Sequence, residues 1–184
     1  MISLNAVPNA LIFLANTFFS IYVSAYLMRF LLQMAKGSFR NPIAHILVKI
    51  TNPLLLPARK IVPGYAGIDL ASVFVIFGLN FLNLMLIYLI RNNIPPIEFM
   101  ALDLLFKHLF QILDLYFWMI LALVIFSWFN PAAMNNNALC ILFYQICEPL
   151  MARARRLIPP IAGLDLSPMI IMLGIQVIQI LLSN

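Results

Sequence analysis

Residues 53–72 read PLLLPARKIVPGYAGIDLAS, and residues 149–168, ninety-six positions later, read PLMARARRLIPPIAGLDLSP. Nine of the twenty aligned positions are identical, among them Pro53 and Pro149, Arg59 and Arg155, Pro63 and Pro159, Gly67 and Gly163, and Asp69 and Asp165. The matches fall on prolines, glycines and charges rather than on interchangeable aliphatics. They mark a duplicated unit, and a fixed-period repeat governs the reading of everything around it. Two repeats are expected, residues 1–92 and residues 93–184.

Composition decides the solvent. The 184 residues are 64% apolar and only 9% charged, with a mean hydropathy of +1.02, whereas a soluble domain carries roughly 25% charged residues. The chain therefore reads as a membrane protein, with no room for a separate soluble enzyme domain beside its spans. The net charge of +5 sits beside apolar segments, where anionic lipid head groups at the inner leaflet are the expected partner and nucleic acid is not.

Four stretches are long and apolar enough to cross a bilayer as helices, which takes about 20 residues. They are residues 9–34, 70–90, 109–129 and 164–182. Their apolar runs are continuous, unlike the alternating strands of a barrel. The first has no basic residue before Arg29 and is expected to be an uncleaved anchor. Lys36, Arg40, Lys49, Arg59 and Lys60 follow it, and Arg153, Arg155 and Arg156 precede the fourth. The positive-inside rule puts both basic connections in the cytoplasm and both termini outside. The connection holding Arg91, Glu98, Asp103 and Lys107 then faces outward. Two copies in the same orientation imply a pseudo-two-fold axis along the membrane normal.

Each basic connection is expected to carry an amphipathic helix. In residues 41–59, Ile43, Ile46, Leu47, Ile50 and Leu54 recur at helical spacing with His45, Lys49 and Asn52 between them. Residues 138–153 repeat the pattern with Leu139, Leu142, Phe143, Ile146 and Leu150. Such a helix either lies in the interface plane or packs against the spans. Pro63 or Pro159 ends it, Gly67 or Gly163 supplies a turn, and Asp69 or Asp165 stands where it can cap the span that follows. Arg59, Lys60, Arg155 and Arg156, with those aspartates, form a candidate cytoplasmic-face site, the arginines meeting either the aspartates or lipid phosphates.

Two copies of a two-span unit, each with P-L-x-x-x-A-R-[KR]-[IL]-[VI]-P-x-x-A-G-[IL]-D-L, resemble the YggT family of small bacterial integral membrane proteins, which has relatives in cyanobacteria and plastids. The resemblance implies a multi-pass protein of the bacterial inner membrane with no established catalytic activity. It also implies roles connected with osmotic-stress tolerance and potassium uptake, and in plastids with cytochrome assembly. The copies differ slightly: Ser72 and Pro57 of the first are Pro168 and Arg153 in the second.

Polar residues inside the spans are the other candidates, because such groups are costly in a bilayer and face a partner or water. Arg29 either snorkels to the inner interface or pairs with Asp69 or Asp165. Asp114 is expected toward the outer end of the third span, with Gln111 one turn before it. Asn80 and Asn83 align with Gln176 and Gln179 at the ninety-six-residue offset, and their carboxamides are expected to bond across the repeat axis.

Conventional chemistry is not expected. Cys140 and Cys147 lie two helical turns, about 10 Å, apart, beyond disulfide reach. His45 and His108 fall on opposite sides, so no zinc site assembles, and no phosphate loop or nucleophile elbow is present. No catalytic residue, metal or cofactor is expected. The fold expected is an all-α membrane protein of four spans in two parallel repeats. The functions left are a membrane-organising accessory protein, a channel or transport component that oligomerises or joins a membrane partner, and an assembly factor for membrane complexes.

Overall fold

The computed structural model describes residues 6–65, 67–92, 97–157 and 165–183. They fold into helices α1 (Ala6–Met34), α2 (Pro42–Ile61), α3 (Leu70–Arg91), α4 (Ile97–Phe129), α5 (Ala133–Asn136), α6 (Ala138–Leu157) and α7 (Ser167–Ser183). Strands are absent among the described residues; Tyr65 and Ile68 form an isolated bridge in the corner after α2.

Three helices, α1, α3 and α4, are long and apolar enough to cross a membrane. The fourth stretch forms α7, apolar but 17 residues long, about 25 Å at 1.5 Å per residue, against a hydrocarbon core of about 30 Å. Helix α4 differs most from the sequence reading. It begins at Ile97, not near residue 109, and runs for 33 residues. Glu98, Asp103 and Lys107, read as an outer connection, belong to its first turns, where charged side chains on a helix surface do not interrupt it.

Two compact units divide the chain. One gathers the residues up to Leu27 with Thr51–Gln111, the other Met28–Ile50 with the residues from Ile112 onward. The division cuts through α1, α2 and α4, so each packing unit draws on both sequence repeats.

Local signals explain the helix ends. Lys36 takes a left-handed conformation (φ 54°) after α1. Its amide donates to the Gln33 carbonyl at 3.0 Å and that of Gly37 to the Leu32 carbonyl at 2.9 Å, the Schellman pattern that satisfies the last carbonyls of a helix. Asn92 takes the same conformation after α3, donating to Leu89 and Tyr88. Asn41 and Asn137 open α2 and α6: Asn41 Oδ1 accepts from the Ile43 amide at 2.8 Å, and Asn137 Oδ1 from those of Leu139 and Cys140 at 2.8 and 3.4 Å.

Helix α2 buries a stripe of its own beside the expected one. Its buried residues are Ala44, Leu47, Thr51, Leu55 and Ala58, at spacings of three and four. Of the five expected residues only Leu47 is among them, while Ile46, Ile50 and Leu54 are 52, 44 and 41% exposed. Three of the five, Ala44, Thr51 and Ala58, are small, and the larger isoleucines are left on a second, outward apolar face. In α6 the expected Leu142, Phe143 and Ile146 are buried, joined by Cys140, Cys147 and Met151.

Candidate functional site

The repeated stretch pairs an arginine with an aspartate ten residues later in both copies. In the first, Arg59 at the end of α2 meets Asp69 ten residues later, Nη2 to Oδ2 at 2.5 Å. Asp69 is buried and caps α3: Oδ1 accepts from the Ser72 amide at 3.3 Å and Oδ2 from the Ser72 hydroxyl at 2.9 Å. Gly67, at φ 82°, turns the chain between them at an angle that suits glycine. Burial pushes the Asp69 carboxyl upward, but hydrogen bonds from Arg59 and Ser72 and the Arg59 charge outweigh it and hold the pKa below the usual 3.8.

In the second corner Arg155 Nε donates to Asp165 Oδ2 at 2.8 Å. Proline stands at 168 where the first copy has Ser72 and offers no amide, so Asp165 Oδ1 accepts instead from Ser167 at 2.9 Å. Proline then occupies the first turn of α7, a place it favours. Arg155 also donates through Nη1 to both oxygens of Glu148, at 2.8 and 3.1 Å. Bonding to Asp165, then to Glu148, holds the guanidinium charged, its pKa raised despite desolvation. For Asp165, burial raises the pKa but the Arg155 and Ser167 hydrogen bonds bring it below 3.8. Both arginines thus face carboxylates, while Lys60, Arg153 and Arg156 are exposed. Pro159 and Gly163 lie outside the described residues.

The polar residues of the long helices are arranged differently from the sequence reading. Arg29 is buried and donates through Nη1 to the Val48 carbonyl of α2 at 3.4 Å, not to either aspartate. Nearby, Tyr26 donates its hydroxyl to the Thr51 carbonyl at 2.8 Å. Both acceptors lie just before Pro53, which lacks the amide that would close the helix onto Lys49. Asn80 and Asn83 are fully buried and have hydrogen-bond partners within the first unit. Asn80 Nδ2 donates to Gln111 Oε1 at 2.7 Å and lies 3.3 Å from His108 Nε2, and Asn83 Nδ2 donates to Asn16 Oδ1 of α1 at 2.9 Å. Asn83 Oδ1 has no hydrogen-bond partner.

Gln179 Nε2 donates to Asp114 Oδ1 at 2.7 Å, and Gln176 is exposed. Asp114 sits 17 residues from the start of α4 and 15 from its end, so it is central in the helix and not near its outer end. Sequence reasoning missed His108, which is buried and stacks on Phe77 with ring centroids 3.8 Å apart. It missed Asn16 and Glu148 as well. The signal for His108 was a helical register with Gln111 once α4 is begun at Ile97. Among the described residues no group of three metal-ligating side chains assembles. Cys140 and Cys147 are buried free thiols, and burial pushes Cys147 up to about 12.

Three long apolar helices, with ion-paired arginines at the ends of α2 and α6, place the chain among helical proteins of the membrane class. The chain belongs to the CCB3/YggT family, whose model matches residues 8–90 and again residues 102–184. It is 35% identical to an uncharacterized protein of Pseudomonas aeruginosa, over all of this chain and 92% of the relative. It is 34% identical to the uncharacterized protein in the proC 3′ region of Vibrio alginolyticus, over 96% and 95% of the two chains. The uncharacterized YggT protein of Escherichia coli is 32% identical, over 93% and 88%. No solved structure matches.

Proposed function

We propose that this chain is a non-catalytic organiser of the bacterial inner membrane, with four spans, both termini outside and two basic corners at the cytoplasmic surface. The observation that carries the reading is the paired corner. Arg59 and Arg155 are engaged by Asp69 and Asp165 and act in folding, which leaves Lys60, Arg153 and Arg156 exposed at the ends of α2 and α6 to attract anionic head groups. The outward face of Ile46, Ile50 and Leu54 gives α2 an apolar side suited to the interface. The link to osmotic stress follows from the family resemblance. Replacing Lys60, Arg153 and Arg156 together by glutamine is expected to abolish growth support under osmotic stress and weaken binding to vesicles rich in anionic lipid. An unchanged phenotype with unchanged binding sinks the reading.

A second reading, a potassium channel or transport component working as an oligomer or with a membrane partner, is favoured by one observation. A carboxylate, Asp114, stands exposed at the middle of a spanning helix, where an unneeded charge is costly. Potassium flux through liposomes holding the purified chain, lost in Asp114→Ala, would establish it. Flux absent with and without an osmotic gradient leaves the organiser.

A further inference from the structure

The second unit contains a cavity of about 460 Å³ bounded by α4, α6 and α7, within the size range of small-molecule sites. Ile120, Leu123 and Val124 of α4, Met151 of α6, and Leu166 and Met169 at the start of α7 line it. Trp128 and Met169 at its rim are 75 and 55% exposed, so it opens onto the apolar surface of α4 and α7. Tryptophan at such a rim suits the level of lipid head groups.

The mouth carries both signs of charge. Arg155 and Asp165 line it, and Arg155 is shared between Asp165 and Glu148. The side chains of Arg155, Glu148 and Asp165 are 29, 33 and 34% exposed; Arg155 and Asp165 line the cavity, and Glu148 adjoins it through Arg155. One guanidinium between two carboxylates gives this trio a net negative charge, with the exposed Arg153 and Arg156 on the same helix standing outside it. That excess is particular to this corner, since Asn52 stands at the position aligned with Glu148 in the first copy.

We propose that this cavity holds an acyl chain of a phospholipid with a primary-ammonium head group, its phosphate accepting from Arg155 and its ammonium donating to Glu148 and Asp165. A guanidinium has five donors, and the two carboxylates do not use all of them. A primary ammonium brings three N–H donors to the carboxylates. A trimethylammonium head has none, and an anionic head group without an amine meets the excess negative charge unaided. The apolar wall then covers hydrocarbon that is already in the bilayer. Selectivity comes from the mouth.

The proposal rests on the reading that α4 and α7 lie in a bilayer, which flotation of the purified chain with vesicles tests separately. The deciding experiment is native mass spectrometry of the full chain in detergent, with phosphatidylethanolamine, phosphatidylcholine and phosphatidylglycerol of identical acyl chains in competition. The ethanolamine lipid is expected to be retained about tenfold better than either competitor, as one charge-assisted hydrogen bond allows. Glu148→Gln is expected to erase most of that preference, and Met169→Trp, which fills the cavity, to lower retention of all three lipids. Equal retention of ethanolamine and choline lipids, or preference for the glycerol lipid, overturns the proposal even for a chain that floats. The wild-type competition decides alone should either variant fail to fold.

Discussion

The Arg59 guanidinium and the Asp69 carboxylate close a ten-residue corner at 2.5 Å, and the same carboxylate caps α3 through Ser72. The acid therefore has two tasks and the arginine one. Asp69→Ala is expected to destabilise the chain by about 1–2 kcal/mol through the lost cap. Arg59→Ala costs less, because its side chain is 40% exposed and solvent screens the pair. Asp69→Asn, which can still accept from Ser72, falls between them. Thermal unfolding in detergent, followed by circular dichroism, ranks the three; an Arg59→Ala protein less stable than Asp69→Ala contradicts the cap.

Acid sensitivity follows from the same corners. Asp69 and Asp165 both have folded pKa values below 3.8, so each binds protons more weakly folded than unfolded. Their stabilisation is complete above the unfolded value and is lost as pH falls through the folded one. Unfolding midpoints measured downward from pH 6 are expected to stay level until about pH 4 and then drop. Asp69→Asn with Asp165→Asn is expected to flatten that drop. A drop of the same size in the double variant places the acid sensitivity elsewhere.

Asn80 and Asn83 are equally buried but differ in what they hold. Asn80 reaches both Gln111 and the His108 ring, and replacing it with leucine leaves the buried His108 and the half-buried Gln111 short of a partner. A loss of about 1–2 kcal/mol is expected. Asn83 makes one bond, to Asn16, and carries an oxygen with no partner. Asn83→Leu removes both the bond and the unsatisfied group, so a change within about 1 kcal/mol is expected. Denaturation in mixed micelles with increasing SDS measures the two. An equal loss for both would mean that the unpartnered oxygen is satisfied by a bound water.

Cys147 is a packing residue, buried and pushed up to about 12. At pH 8 its thiolate fraction is negligible. Maleimide is expected to leave it unmodified in the folded protein and to label it within minutes once SDS is added. Rapid native labelling at Cys147 would contradict the packing of α6.

Gly37 lies where a Cβ would run into Leu32 Cδ1 and crowd Gln145 Oε1, the oxygen that accepts from the Ser38 amide at 3.0 Å. Gly37→Ala is expected to cost about 1–3 kcal/mol by overpacking. Lys36→Gly, at the left-handed position beside it, is expected to stabilise by about 0.5–1 kcal/mol. The same thermal series reads both, and the signs must be opposite.

The apolar helices and the Arg59–Asp69 and Arg155–Asp165 pairs were legible in the sequence because they rest on local chemistry. An aspartate before an apolar run caps it wherever the run goes, and an arginine ten residues upstream across a glycine turn reaches it without distant contacts. Apolar runs likewise announced α1 and α3, since length and composition alone decide whether a helix suits a bilayer. The start of α4 was not legible. Charges at 98, 103 and 107 look the same on a helix surface as in a connection, and only packing distinguishes them. That error displaced Asp114 to a helix end and concealed His108. Which face of α2 is buried was also undecided: the face of Ala44, Leu47, Thr51, Leu55 and Ala58 and the isoleucine face both have helical spacing, and only packing decides between them. The buried amides Asn80 and Asn83 were named from the sequence, but Gln111, His108 and Asn16, which they meet within the first unit, were not. A carboxamide's chemistry fixes that it must bond when buried, and only the tertiary arrangement of α1, α3 and α4 decides with whom.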